Sequence, residues 1–441
     1  MSDELNELLL LSSDPDFEAA LAKLRCDMLR AARMAGHDSE QNRTVAAILC
    51  DVAERQDAAV AEYTRKFDNV ELAPDGFRVG VEDMARAHEA TDAELLTSLR
   101  QAIDNVRAYQ SKIFIGHQSQ FSGGTGIRYT PLRRVGVCVP GAAAPLPSTV
   151  IMTVVPAQVA GVREIAVVSP PRCHGTIHPV ILAVCHELGV GEVYRIGGVQ
   201  AVGALAYGTQ TVPKVDKIVG PGNSWVQAAK NNVAGDYVGI DSIAGPSEVF
   251  IIAGAEADPA WVAADMLSQA EHAADSSAVV ATDSEPLARA VLEQLREQLG
   301  ELPRATDAAE SLRRFSRIIV VKDLRAAISL ADEFASEHLE IQCGDRSREV
   351  AEQVSNAGAI FIGPHTPVAV GDYWAGPSHT LPTGTRAAFS SALTSNDFVK
   401  SISLIEYSAE QLAACADDII RLAQVEGLDA HARSVQVRRR K

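Results

Sequence analysis

The sequence predicts an α/β protein built on parallel sheet layers, and three observations predict it. From Val135 onward, short β-branched runs alternate with Ala-rich stretches of helical spacing. Gly-rich turns follow two of these runs, as they do where α/β sheets present loops to ligands. The 441 residues, 47% apolar and 22% charged, suffice for two or three domains with a large core.

Taken in order, residues 15–110 read as helix-rich. Asp57–Phe67 carries apolar residues at helical spacing, and Glu82–Tyr109 continues in the same way. Eight strands are then expected: 135–139, 164–169, 192–196, 217–219, 248–253, 278–282, 317–321 and 359–362. Between them, helices are expected over 224–233, 261–272 and 324–335. Gly245-Pro246 breaks the pattern and marks a domain crossing, and after Phe398 the chain reads as helical again. There is no internal repeat and no low-complexity segment.

A net charge of −17 argues against nucleic acid and against an anionic membrane surface. The basic end, Arg438-Arg-Arg-Lys441, reads as a solvated tail. The acidic first residues do not form a signal peptide, and no apolar run approaches the roughly 20 residues of a membrane span. Seven scattered cysteines without CxxC spacing read as free thiols in a reducing cytoplasm.

The most informative segment is Asp265-Met-Leu-Ser-Gln-Ala-Glu-His272, with Ile240-Asp-Ser-Ile-Ala-Gly-Pro-Ser-Glu248 upstream. Gln269 and His272 are three positions apart, so on a continuing helix they share a face and can reach one ion. Glutamine is an uncommon zinc ligand. Glu337-His338 offers a carboxylate beside an imidazole, an acid/base pair or an ordinary surface pair. Asp372 and His379 lie in a Gly/Pro-rich loop, where function and turn chemistry explain them equally. His431 alone reads as a tail histidine, and His174, His178 and His186 as structural or surface residues. Pro140-Gly-Ala-Ala-Ala-Pro145 and Gly220-Pro-Gly-Asn223 are tight turns or cofactor loops. Neither is a GxGxxG, although the second opens a helix whose free N–H groups could face phosphate.

Together these motifs resemble the histidinol dehydrogenase family over nearly the whole chain. The signature Ile240-Asp-x-x-Ala-Gly-Pro-Ser-Glu248 precedes Leu267-Ser-Gln-Ala-Glu-His272. Gly197-Gly-Val-Gln-Ala201, Gly220-Pro-Gly-Asn223, Ser336-Glu-His-Leu-Glu340, Gly371-Asp-Tyr, His379-x-Leu-Pro-Thr383 and Glu426-Gly-Leu-x-Ala-His431 stand in the family's order. The resemblance implies two incomplete Rossmann-like domains, one of 31–137 with 247–393, the other of 138–246 contacting NAD. It adds a helical extension over 1–30 and a helical dimerisation tail over 394–441, exchanged between the subunits of a homodimer.

It further implies zinc bound by Gln269, His272, Asp372 and His431, with Glu337 and His338 as the acid/base pair. Ser247, His379 and Glu426 would contact substrate alongside His338 and the zinc ligands; Gln200, Asn223 and the position of Cys138 would contact NAD. The implied reaction takes L-histidinol, two NAD⁺ and water to L-histidine and two NADH. Three positions depart from the family pattern. Cys138 replaces an aromatic residue, which raises the alternative of a cysteine nucleophile. Ala273-Ala274 replaces Gly-Pro, and Ala142 replaces a glycine. A paralogue acting on another small polar alcohol, such as a sulfonated diol, is the nearest alternative. A zinc hydrolase and a catalytically silent dimer are alternatives of other classes.

Overall fold

The computed structural model describes residues 4–32, 39–141, 145–242, 245–303 and 305–439. The chain divides into two compact units. One comprises residues 1–114 and 132–398, the other 115–131 and 399–441. Ala142 and the tail residues 440–441 lie outside the described residues.

The larger unit holds two parallel sheets. The five-stranded sheet has the order Glu192–Tyr194, Glu164–Val168, Arg134–Cys138, Lys217–Val219, Gly239–Ile240. The six-stranded sheet has the order Leu9–Leu11, Arg317–Val320, Ser277–Thr282, Glu248–Ala253, His338–Gln342, Ala359–Ile362. Every pairing within both is parallel. Apart from the edge strand Leu9–Leu11, the two sheets repeat one pattern: the first strand sits centrally, the next two extend to one side and the last two to the other. The buried runs Glu248–Ala253 and Ser277–Thr282 suit this, because a parallel sheet covered on both faces needs nearly continuous apolar strands. One core cluster, with Val262, Met266 and Leu295, covers one face of the six-stranded sheet. Another, with Ile328, Phe334 and Leu339, covers the other.

All eight expected strands form, within one or two residues of the expected bounds. Several other elements differ from expectation for identifiable reasons. His338–Gln342 alternates polar and apolar residues, His-Leu-Glu-Ile-Gln, a period-two signal hidden by reading Glu337-His338 as an isolated pair. Leu9–Leu11 joins the six-stranded sheet, so the first thirty residues are not purely helical. The stretch 82–109 is two helices, Val81–Glu89 and Ala93–Ile113. Asp92 caps the second by accepting the N–H groups of Glu94 and Leu95.

The helices between Glu40 and Ile113 pack on helices of the five-stranded sheet, Pro147–Val159, Pro179–Glu187, Gly198–Tyr207 and Ser224–Val233, rather than joining the six-stranded one. Strand Arg134–Cys138 belongs to that same sheet. Val45, Leu49 and Val52 share one core cluster with Val199, Val202 and Leu205, an apolar stripe that local spacing shows but cannot assign to a partner.

The five-stranded sheet is held at its amino edge by Arg134, whose side chain is 2% exposed. Its guanidinium donates to Glu192 at 2.7 and 2.6 Å, to Glu164 at 3.1 Å and to the Pro213 carbonyl at 3.3 Å. Arg134→Met is expected to lower the unfolding free energy by about 3 kcal/mol, because it removes the bidentate cation from the half-buried Glu192 and leaves it the Tyr194 hydroxyl. Urea titration reads this directly. A loss indistinguishable from zero would show that solvent compensates Glu192.

The smaller unit is an antiparallel sheet, Val399–Ile405 against Thr125–Pro131 against Gln120–Ser122, with helices Ala409–Val425 and Asp429–Arg438. The expected all-helical tail over 394–441 therefore begins with residues 395–398 in the larger unit and then a seven-residue strand. Its first helix opens with a reciprocal capping box at Ser408 and Gln411.

Candidate active site

Two cavities concern the expected residues, and they share no lining residue. The larger, about 640 Å³, lies at the carboxyl ends of the five-stranded sheet. This is the crevice beside the central strand where open parallel sheets bind ligands. Its lining gathers Cys138, Gln200 and Asn223, with Gly141, Pro170, Gly197 and Trp225. Gln200 is fully buried and neither side-chain polar atom has a protein partner. Asn223 caps the helix Ser224–Val233 by accepting the Val226 N–H at 3.1 Å.

The preceding turn must be glycine at 220: φ is +105°, and a Cβ there would stand 2.3 Å from the Cys138 carbonyl oxygen. Lys230 pairs with Asp241 and donates to the Gly220 carbonyl at 2.9 Å, while the Gly220 N–H donates to Asp241 at 2.6 Å. The sequence does not reveal this buried clamp, because neither residue stands out without its partner. Burial pushes the Cys138 thiol up to about 12, so it holds no thiolate near neutrality and the nucleophile reading finds no support in its environment.

The second cavity, about 120 Å³, is lined by His338, Phe361, Thr366, Asp372, Ser378, His379 and others. It lies near the amino end of strand His338–Gln342, on the opposite edge from the usual carboxyl-end crevice. Glu337 precedes that strand and Ser247 precedes the neighbouring strand Glu248–Ala253. The approach is tight: a Cβ on Gly358 would meet the Glu337 carbonyl oxygen at 2.5 Å. The helix Leu324–Phe334 ends at Ala335 in a left-handed conformation, φ 44°, and the chain turns directly into Ser336-Glu337-His338.

Glu337, His338 and Asp372 converge. His338 Nδ1 is 3.6 Å from a Glu337 oxygen, and its Nε2 is 3.9 Å from Asp372. Nδ1 also lies 3.1 Å from the Glu248 carbonyl, which can only accept, so the proton is assigned to Nδ1. Nε2 is left as a bare acceptor, buried and without a protein partner. Burial pushes His338 down to about 3, and His272 and His379 act in the same direction. The imidazole is thus neutral at physiological pH.

Glu337 is held well above the ordinary carboxyl range by burial, then by the neighbouring Glu248 and Asp372. It accepts the Glu248 N–H at 3.0 Å and is hydrogen-bonded by Ser247. Asp372, in the helix Val368–Tyr373, is pushed up to about 6 by burial. His379 is pushed down to about 4 by burial and is hydrogen-bonded to the Asp372 backbone.

The helix bearing Gln269 runs Pro259–Ala270, with Pro259 at its start and Asp258 as its cap. It ends before His272, so His272 lies in the turn beyond it rather than on the same helical face, tied by its N–H to the Gln269 carbonyl at 3.3 Å. Gln269 is 1% exposed and neither side-chain polar atom has a protein partner. Glu426 and His431 are exposed residues of the smaller unit. Among the described residues, no three histidine, cysteine or carboxylate side chains stand close enough to hold a metal by themselves.

Glu248 has no role assigned by sequence, although it closes a signature motif. It is buried, pushed up to about 7 by burial, and its carboxyl accepts the Gly384 N–H at 3.1 Å. It thereby joins strand Glu248–Ala253 to the loop following His379. The signal that could have found it is a carboxylate opening an otherwise apolar strand.

A parallel α/β fold, a nucleotide-sized cavity at a strand-order switch and a separate buried imidazole–carboxyl cluster define a dehydrogenase-like α/β enzyme. The family profile described as histidinol dehydrogenase matches residues 31–439. Histidinol dehydrogenase of Rhodopirellula baltica is 46% identical over 398 residues, covering 89% of this chain and 86% of that protein. That of Thermosynechococcus vestitus is 43% identical over 435 residues, covering 98% and 99%. The crystal structure of histidinol dehydrogenase from Elizabethkingia anophelis superposes with a TM-score of 0.88 at 32% identity, covering 98% of each chain. The chain belongs to the histidinol dehydrogenase family, and its activity is that of an NAD-dependent oxidoreductase.

Proposed function

We propose that the chain oxidises L-histidinol to L-histidine through a bound aldehyde, consuming two NAD⁺ and one water, as a cytoplasmic zinc enzyme active as a homodimer. The observation that carries this reading is the convergence of two carboxyls on the neutral His338 ring, the buried Glu337 at 3.6 Å from Nδ1 and Asp372 at 3.9 Å from the bare Nε2. NAD⁺ would occupy the 640 Å³ cavity, with Gln200 and Asn223 among its contacts.

The residues suit a divalent cation. Gln269 has both polar atoms buried and unpartnered, an arrangement that costs about 1–3 kcal/mol per group unless a ligand or water completes it. The buried Glu248 and Glu337 and the partly buried Asp372 crowd carboxyl groups together, and a cation there would relieve their mutual repulsion. In this reading Gln269, His272, Asp372 and His431 hold zinc, an amide, two imidazoles and a carboxylate. When bound, zinc would orient the substrate's imidazole and amino group and polarise its oxygen.

The chain's own groups do the rest. His338 Nε2 accepts the hydroxyl proton while the carbinol hydride passes to a nicotinamide ring. Its Nδ1–H, held by the Glu248 carbonyl, fixes the ring for that transfer. Glu337, oriented by Ser247 and the Glu248 N–H, directs water onto the aldehyde and, as the carboxylate, takes its proton. His379 and Glu426 contact the substrate, and Glu426 suits its ammonium group and disfavours a sulfonated alcohol.

No helix among the described residues is long and apolar enough to cross a membrane. The smaller unit exposes Ile405, Leu422 and Val425 at 78%, 65% and 83%. Apolar side chains so exposed on a small unit support burial against a second subunit, which in this reading supplies Glu426 and His431. Metal analysis tests the ligand set. His272→Ala is expected to lose most of its zinc while its circular dichroism stays native, and full zinc occupancy in that variant would overturn the assignment.

A further inference from the structure

One turn before Gln269 on the same helical face, Asp265 points at strand His338–Gln342. On that strand His338, Glu340 and Gln342 share a face and are all buried. Gln342 Nε2 donates to Asp265 at 2.6 Å and to Glu340 at 3.3 Å. The second oxygen of Glu340 accepts the Val368 N–H at 2.9 Å, at the start of the helix that carries Asp372. The Gln342 amide nitrogen thus brings the carboxyl groups of Glu340 and Asp265 together, within reach of a direct hydrogen bond.

Two carboxyls can hydrogen-bond directly only if one keeps its proton. Among the described residues, no cation stands with their partners to hold both as anions. The strands flanking Glu340 present Ile251 and Phe361 in register, neither charged. From the helix Pro259–Ala270 the titratable group facing it is Asp265, and from the helix Val368–Tyr373 it meets a backbone N–H.

We infer that Glu340 and Asp265 hold one proton between them and act as a positioning pair. The pair sets the spacing of the helix bearing Gln269, the strand bearing His338 and the helix bearing Asp372. The inference rests on the reading of those three as site residues. The proton sits on Glu340, which burial first, and then the charge of Asp265, push up to about 9. Asp265, raised mainly by burial, accepts it.

The consequence runs against the usual effect of deleting a buried acid. In the unfolded chain Glu340 ionises near 4.5, whereas the folded chain keeps its proton to about 9. Stability from this group is full below about 4.5 and is lost progressively as pH rises to about 9. Glutamine keeps two of the protonated acid's contacts at every pH: its amide N–H donates to Asp265 and its oxygen accepts from Val368, while the 3.3 Å contact from Gln342 Nε2 loses its acceptor.

The test uses the full-length enzyme as wild type, Glu340→Gln, Glu340→Ala and His338→Ala. Histidinol oxidation and thermal midpoint are measured across pH. Glu340→Gln is expected to keep wild-type-like kcat near neutrality and to lack the loss of kcat that wild type shows as Glu340 ionises. Its midpoint should exceed that of wild type by a margin that widens from about pH 5 to about pH 9. Glu340→Ala should lose about 100-fold in kcat, the scale of a 1 Å misplacement. A kcat as low in Glu340→Gln as in Glu340→Ala overturns the shared proton, as does a midpoint margin constant with pH. A wild-type kcat in Glu340→Ala overturns the positioning role. Should Glu340→Ala fail to fold, the glutamine variant's pH series decides alone. Full activity in His338→Ala would instead sink the site reading, whatever the Glu340 variants do.

Discussion

Replacing His338 by alanine is expected to lower kcat by about 10²–10⁴-fold, the usual contribution of a positioned acid/base group, with NAD⁺ affinity little changed. The expectation stems from the bare Nε2 and from the Nδ1 contact to the Glu248 carbonyl at 3.1 Å, which together hold a neutral base in one orientation. Both oxidation steps should fall, since each removes a proton from oxygen. Glu337→Gln should behave differently. Its carboxyl serves hydration of the aldehyde, so the variant should oxidise the alcohol better than it oxidises added aldehyde. Single-turnover NADH formation with each substrate separates the two steps. Equal losses in both would show that Glu337 and His338 do not divide the work as proposed.

The second expected result concerns assembly. His338→Ala and His431→Ala homodimers should each retain at most about a hundredth of wild-type activity. Dissociating a mixture and reassociating it should restore part of the activity, because a mixed dimer has one site with an intact His338 and an intact partner-supplied His431. The physical ground is the smaller unit, whose helices Ala409–Val425 and Asp429–Arg438 leave Leu422, Val425 and Leu428 exposed. A helix pair this short gains little from propensity and depends on burying its apolar face. Mixed dimers, demonstrated by differential tagging, that stay inactive would place His431 in its own chain's service.

Much of the fold is legible locally. Eight β-branched runs announce eight strands, and Ser224–Val233 is bounded to the residue by its Gly-Pro-Gly-Asn turn. Strand His338–Gln342 carries its period-two signal less plainly, because polar residues fill the buried face that meets Asp265 and the site. The placement of the helices between Glu40 and Ile113 is not legible. An amphipathic stripe states that a helix packs, not against which sheet. Gln269 and His272 pair by spacing on a helix that in fact stops between them. Helix ends are set by capping and by the path of the chain beyond the last turn, neither of which a three-residue spacing contains.

Residue order alone determined the α/β class, the positions of eight strands and, through an ordered set of short motifs, the family. Those depend on local periodicity and on residue identities at fixed spacings. Only the tertiary structure decided that both sheets share one strand pattern and that the buried cluster lies at the amino edge of the second. It alone brought Glu248, Asp265 and Glu340 beside residues far away in the chain. Their protonation is a property of that burial. Removal from water and the nearness of another carboxyl fix where each proton rests, and both arise from contacts made only when the chain has folded.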